Sequence, residues 1–292
     1  MFRSFAGDQE PVESTMSLPC PRTAFQGRRV AERYPDMSTR HLAATTAAGR
    51  TPGSPLVSCV MATVSGRGRF LRQAVKYFLR QTQVEKELIV VGEIADSFNT
   101  LFPGEAPIRH LPTSAVTNLG DKLNRGIEAA RGTIIQKLDD DDYYHPEFLA
   151  AMVSAVEGSS PKRVLAAIDC CPVLITQTGD LKWTGHGRFA GGTLCFPKQL
   201  WRQCPFRDVP KDVDRWFLED HDAERVRVCR PGLYIYVRHS GMHLWTHRGD
   251  QDVVEYYLQQ PNFRQPLEEL VAPDDVRFYR ELQTLEPSLT GS

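Results

Sequence analysis

The chain has 292 residues with 35 basic and 36 acidic side chains; at a formal net charge of −1, no global field draws it to nucleic acid or anionic lipid. Hydrophobic residues make up 41% and charged residues 24%, the balance of a globular protein with a sizeable core in one large domain or two small ones. No run reaches the roughly 18 apolar residues that cross a bilayer, and the opening MFRSFAGDQEPVEST lacks the apolar stretch of a secretory signal, so a cytoplasmic location is the expectation.

Residues 1–54, with the small, polar stretch MSTRHLAATTAAGRTPGSP, read as a flexible arm. From Pro55 strands and helices alternate. Leu56 to Thr63 is a strand. GRGRFLRQAVKYFLRQT follows as a helix, with Phe70, Leu71, Ala74, Val75 and Phe78 on one face. Lys86 to Glu93 and PIRHLPT are the second and third strands. NLGDKLNRGIEAAR is a helix that buries Leu119, Leu123, Ile127 and Ala130, with Gly132 as its C-cap. TIIQKL is the fourth strand, and HPEFLAAMVSAVEG a helix with Pro146 near its start. Such alternation predicts an α/β fold with a Rossmann-like, mostly parallel central sheet flanked by helices. Ligands of these sheets bind at the carboxyl ends of the strands.

Beyond Pro161 the alternation weakens. RVLAAIDCCPVLIT reads as a strand with LKWTG as its hairpin partner, and GGTLCFPKQLWRQC as a strand running into a helix. VDRWFLEDHDAERVRV has a helical pattern, GLYIYVRHSG is a strand, and DVVEYYLQQ a late helix. The organisation is then a nucleotide-binding half over 55–146, an acceptor half over 147–260, and a tail of loop and helix fragments over 261–292. Seven cysteines, an odd number without a CxxC pair, predict reduced and mostly buried thiols.

Four consecutive aspartates, Asp139 to Asp142, close the fourth strand. Asp139 and Asp141 project to one side of an extended segment and Asp140 and Asp142 to the other. A hard cation such as Mg2+ or Mn2+ is held by one or two carboxylates, with phosphate oxygens and water completing its shell. The alternative is a solvated turn. An EF-hand is excluded, because Tyr144 and Ala150 stand where it needs Gly and Glu. Phosphatase-type aspartates would follow the first strand rather than the fourth; a two-metal polymerase-like site stays open. In RWFLEDHD, Glu219 and Asp220 follow an apolar wall, which suits either a general base or an acidic pair at a helix start. YVRHSGMHLWTH gathers Arg238, His239, His243, Trp245 and His247, for a metal or diphosphate, or as plain surface residues.

Taken together, these stretches resemble the inverting family 2 glycosyltransferases of the GT-A fold over roughly Pro55 to His247. NLGDKLNRGIEAARGTIIQKLDDDDYYHPEFL is similar to the family pattern G-x-x-x-A-x-N-x-G-I-x-x-A-x-G-x-x-I-x-F-L-D-x-D-D-x-x-x-P, with Asn124, Gly126, Gly132 and Pro146 in register. VSCVMATVSGRGRFLRQAVKYFLRQT resembles the opening strand and helix, with Val64 and Ser65 in place of the usual Tyr-Asn. FLEDHD resembles the GED helix start, with Leu218 for the Gly, and LYIYVRHSGMHLW the closing YVRHGxNTW. The resemblance implies a transfer from a nucleotide-diphosphate sugar to an acceptor nucleophile. It implies Mn2+ or Mg2+ on Asp139 and Asp141, with His239 and His243 as further contacts, and Asp220 as general base beside Glu219. The nucleotide sugar would meet Ala62, Thr63, Val64, Glu93, Lys122, Asn124, Asp139, Asp140 and Arg238, and the acceptor Gly191, Gly192 and Trp245. Trp183 and Trp201 are further candidates to stack on a sugar. A nucleotidyltransferase, suggested by SGRGRF, and a non-catalytic carbohydrate- or nucleotide-binding module are the rival readings. A small molecule, a peptide, or a glycan reached at a membrane surface would serve as acceptor.

Overall fold

The computed structural model describes residues 56–239 and 250–285, apart from residues 84, 95–97, 99–101, 103–106, 115, 159–162, 186, 188 and 210. The first half follows the sequence closely: β1 (Val57–Thr63), α1 (Gly68–Leu79), β2 (Lys86–Gly92), β3 (Ile108–Leu111), α2 (Leu119–Ala129), β4 (Ile134–Leu138), the two-residue β5 (Tyr143–Tyr144) and α3 (Phe148–Glu157). The second half adds β6 (Val164–Ile168), the hairpin β7 (Pro172–Ile175) and β8 (Asp180–Trp183), β9 (Cys195–Pro197), α4 (Lys198–Gln203), α5 (Val213–Asp220), β10 (Glu224–Val228) and β11 (Tyr234–Arg238). Helices α6 (Asp250–Leu258), α7 (Leu267–Leu270) and α8 (Pro273–Leu285) follow.

Seven strands form the main sheet in the order β10-β6-β9-β4-β1-β2-β3. All pairings are parallel except those of β9, which runs antiparallel to both neighbours. β1 and β2 are buried through most of their length, as strands covered on both faces must be. Alternate residues serve opposite layers. Val57, Cys59 and Met61 pack with α1 and α3, while Val60 and Ala62 pack with Leu119, Leu123 and Ile127 of α2. Met61 stands opposite Leu138, so the residues just past β4 lie beside the end of β1. A second sheet, β5-β11-β7-β8, brings β11 against the same place.

Four expectations change. RVLAAIDCCPVLIT is two strands in two sheets, because the chain bends at Asp169–Cys170 and pairs β6 and β7 with different partners. VDRWFLEDHDAERVRV is a short helix and then an edge strand, since Val226 and Val228 pack inward while Glu224, Arg225 and Arg227 are exposed. Gly132 lies past the helix end rather than capping it. A Cβ there would stand 2.4 Å from the Leu56 carbonyl oxygen, so the glycine allows the chain to pass close to β1. The segment after 260 includes a 13-residue helix whose Val276, Tyr279 and Leu282 join the main core.

The cysteines need a correction as well. Cys59, Cys171 and Cys195 are buried thiols outside any disulfide, as expected, but Cys170 and Cys229 form a disulfide and Cys204 is disulfide-bonded too. Cys170 and Cys229 follow the paired ends of β6 and β10, where Ile168 stands opposite Val228. Their 59-residue separation carries no sequence signal; strand pairing alone makes them neighbours.

Candidate active site

A cavity of about 720 Å3 opens at the carboxyl ends of β4 and β1. Its walls come from the aspartate run, the turn Gly191–Thr193, the start of α5, and β10 and β11. The aspartates alternate as the sequence implies. Asp140 and Asp142 are buried, whereas Asp139 and Asp141 are partly open, at 36% and 14% side-chain exposure.

The two buried members are tied to the fold. Asp142 accepts the Val237 N–H at 2.8 Å and the Tyr234 hydroxyl at 2.5 Å, which locks the loop to β11. Asp140 accepts the Thr63 hydroxyl at 2.6 Å and lies 2.9 Å from Arg67 Nη2. Burial pushes both carboxyls up, and the neighbouring carboxylates add to the rise; with Arg67 opposing, Asp140 reaches about 6. The open members meet cations. Asp139 lies 2.7 Å from Lys137 Nζ, and Asp141 lies 2.5 Å from Arg67 and 3.2 Å from His239 Nε2. Burial alone would lower Arg67 and Lys137, but the carboxylates around them hold both above their ordinary values.

Other expected residues gather here. Ala62 and Arg238 line the cavity, and the Arg238 guanidinium donates to the Tyr236 hydroxyl at 3.0 Å. Lys122 is buried and donates to the Thr63 carbonyl at 2.9 Å, fixing the end of β1; burial lowers it, and Asp140 and Glu93 partly restore it. Val64 is buried beside Thr63, and Glu93 is exposed just past β2. Gly191 and Gly192 form the wall opposite the aspartates. A Cβ on Gly192 would stand 2.6 Å from Asp139 Oδ2, and one on Gly191 2.1 Å from Asp214 Oδ2. Tyr144 ties the two walls, donating to the Gly192 carbonyl at 2.9 Å and accepting the Asp139 N–H at 2.7 Å.

Some expected residues lie elsewhere. Asn124 brackets α2 to the chain after α4, accepting the Trp201 indole N–H at 2.8 Å and the Phe206 N–H at 3.0 Å. Trp183 stacks on Phe263 at 5.3 Å. Asp220, at the far end of α5, receives both arms of Arg207 and does not line the cavity, whereas Glu219 lines it and pairs with Arg215 at 2.8 Å. His243, Trp245 and His247 lie outside the described residues.

Residues that the sequence reading passed over complete the site: Arg67, Lys137, Tyr144, Asp212 and Asp214. Lys137 was the most accessible to sequence reasoning, since it precedes Asp139 by two positions and so shares its face. Asp212 holds a left-handed backbone with φ of 59° at the cavity wall, a conformation unusual outside glycine.

Known proteins resemble this chain in sequence and in fold. Uncharacterized glycosyltransferase EpsJ of Bacillus subtilis (strain 168) is 28% identical over 221 residues, covering 62% of this chain and 61% of EpsJ. The crystal structure of S. aureus TarS 1-349 in complex with UDP-GlcNAc superposes with a TM-score of 0.50 at 13% identity, covering 68% of this chain and 64% of that one. The chain thus spans about three fifths of the length of these relatives. The mostly parallel sheet with its covering helices is the GT-A fold. The model of "Glycosyl transferase family 2" matches residues 58–204, half of the chain, and the chain belongs to that family.

Proposed function

We propose that this protein transfers a sugar from a nucleoside-diphosphate sugar to an acceptor nucleophile, with inversion at the anomeric carbon. One observation carries the reading. At the carboxyl end of β4, Asp142 is spent on the fold and Asp140 is buried at the cavity wall on Thr63 and Arg67, while Asp139 and Asp141 are the more open carboxylates of the cavity.

The donor set suits a hard divalent cation. Among the described residues, Asp139, Asp140, Asp141 and Asp214 pair with Arg67 and Lys137, and burial together with neighbouring carboxylates raises Asp140, Asp142 and Asp214. Among the described residues no three His, Cys, Asp or Glu side chains form a complete cage. This matches an ion held by one or two carboxylates that shares its shell with phosphate and water. Asp139 and Asp141, with His239 beside them, would hold it. Bound there, Mn2+ or Mg2+ supplies positive charge against the diphosphate leaving group.

The chain's own residues do the remaining work. Thr63 and Lys122 hold the end of β1 where the nucleoside would lie, with Ala62, Val64 and Glu93 around it. Arg238, on β11 at the cavity wall, offers a guanidinium to phosphate oxygens. The Gly191–Gly192 turn lets the backbone lie directly against the Asp139 and Asp214 carboxylates at the cavity wall, on the side this reading gives to the acceptor. The base role that resemblance gives to Asp220 meets an obstacle in the paired hold of Arg207, which keeps its carboxylate out of the cavity lining.

The test is thermal stability with Mn2+ and a panel of UDP- and GDP-sugars. A ligand at 100 times its Kd stabilises the native state by about 2.7 kcal/mol. A Mn2+-dependent rise is expected in the wild type and its loss in Asp141→Ala. No rise with any sugar nucleotide, or an equal rise in Asp141→Ala, would sink this reading of the site.

A further inference from the structure

The walls of the cavity change in charge across the main sheet. In the order β10-β6-β9-β4-β1-β2-β3, the aspartates follow β4, and the side given above to the nucleoside lies over β1 and β2. β10 stands on the opposite side, three strand spacings or about 14 Å from β4. There the cavity is lined by Arg225 and Arg227 of β10, with Lys211 and Arg215 around the start of α5. All four side chains belong to exposed residues. Arg225 and Arg227 are two positions apart on a strand and share one face, and β10 is an edge strand that no further strand covers.

The carboxylates on this side do not neutralise the set. Arg227 pairs with Asp169 at 2.5 Å and Arg215 with Glu219 at 2.8 Å, and Asp212 lines the same wall. Among the described residues, neither Lys211 nor Arg225 meets a carboxylate. The Arg225 guanidinium donates to the Leu218 carbonyl at 3.0 Å, which uses one of its five N–H groups. Phe189, under the Arg227 guanidinium at 5.1 Å, and Leu218 add an apolar strip. The donor phosphates have Arg238 and a divalent cation on the reading above, so they do not account for cations at β10. We propose, resting on that glycosyltransferase reading, that the acceptor is anionic and docks a phosphate or carboxylate group on Lys211 and Arg225. A guanidinium meets either oxyanion through paired hydrogen bonds, and the ammonium adds a point charge. The strand spacing leaves room for the transferred sugar between this anion and the aspartates.

The experiment compares the wild-type chain with the double variant Lys211→Gln, Arg225→Gln, which removes both charges and keeps an N–H donor at each exposed position. Calorimetry measures binding of glycerol 3-phosphate, glycerate and glycerol, three probes on one carbon frame. Thermal stability measures the Mn2+-dependent effect of the sugar-nucleotide panel. The wild type is expected to bind at least one of the two anions and not glycerol, with an affinity that falls as salt rises. The double variant is expected to lose about tenfold or more of that affinity, since hydrogen bonds to charged groups are the strong ones, while donor stabilisation stays unchanged. Vesicles of phosphatidylglycerol, set against phosphatidylcholine, separate the sources. Binding to them alone, lost in the double variant, places the anion on a lipid headgroup, whereas binding of the soluble probes places it on a polar acceptor. Equal anion affinity in both chains, or glycerol binding as well as the anions, would overturn the proposal. So would donor stabilisation that falls with anion binding in the double variant, because the two cations would then serve the donor. A wild type that binds the anion at Lys211 and Arg225 but gains no stability from any sugar nucleotide removes the glycosyltransferase reading, and the acceptor role with it.

Discussion

Glu87 shows how a buried charge can serve the fold at the end of the sheet away from the cavity. It is wholly buried near the start of β2. It accepts the Ser58 hydroxyl at 2.6 Å, the Arg131 N–H at 2.7 Å, and the Arg131 and Arg109 guanidinium groups, both at 3.0 Å. Burial alone would raise this carboxyl, but the Ser58 and Arg131 hydrogen bonds and Arg109 outweigh it and hold the group below its ordinary value. The native state therefore binds fewer protons here than the unfolded chain. The stabilisation is present above the unfolded value of 4.5 and is lost as pH falls through the depressed native value. Urea titrations on acidification should show this loss in the wild type and a flatter profile in Glu87→Ala. That variant should also lose about 1–3 kcal/mol near neutral pH, because the Ser58 hydroxyl and the Arg131 N–H are left without their acceptor. At the other end, the four aspartates are chemically identical and physically distinct. Alternation in the backbone sends Asp140 and Asp142 into the protein and leaves Asp139 and Asp141 at the cavity.

At the scale of elements, the C-terminal helix matters more than its polar, Pro-flanked sequence suggests. Asp275, at the start of α8, is 1% exposed. It accepts from Arg80 at 2.7 Å and 3.0 Å and from Gln73 at 2.8 Å, while Tyr77 donates to Tyr279 at 2.9 Å. These bonds fasten α8 across α1, the helix that carries Arg67 at its N-cap. Asp275→Ala is expected to lose about 2–3 kcal/mol, with Asp275→Asn losing less, since hydrogen bonds to charged groups contribute about 1.5–3 kcal/mol. Denaturant midpoints would measure it; an unchanged midpoint in Asp275→Ala would show that the bonds from Arg80 and Gln73 do not hold α8 in place. The sequence pattern finds α1 because its apolar stripe repeats every three to four residues. It passes over α8 because several of the contacts that bury that helix are polar.

For the whole molecule, the disulfide between Cys170 and Cys229 joins the chain after β6 to the chain after β10, beside a cavity wall that includes Asp169 and Cys171. Closing a loop of this length stabilises a fold by about 2–4 kcal/mol, chiefly by restricting the unfolded chain. Cys229→Ser should therefore lower the melting temperature, and a reductant should lower it by less in this variant, which keeps only the disulfide of Cys204, than in the wild type. No helix among the described residues is long and apolar enough to cross a membrane.

The sequence by itself determined the alternating strands and helices of the first half, the position of the aspartate run at a strand end, and the split of that run into two faces. All three follow from local periodicity and from residues close together in the chain, for which the pattern is sufficient. Tertiary structure decided what meets across the cavity. Arg67 reaches Asp140 and Asp141, His239 reaches Asp141, and Asp214 meets Lys137 and Gly191 across more than twenty residues. It also decided that Arg207 claims Asp220, that β10 pairs with β6, and that Cys170 faces Cys229. Helix packing and strand pairing between distant segments set these distances, and neither leaves a period in the chain to be read.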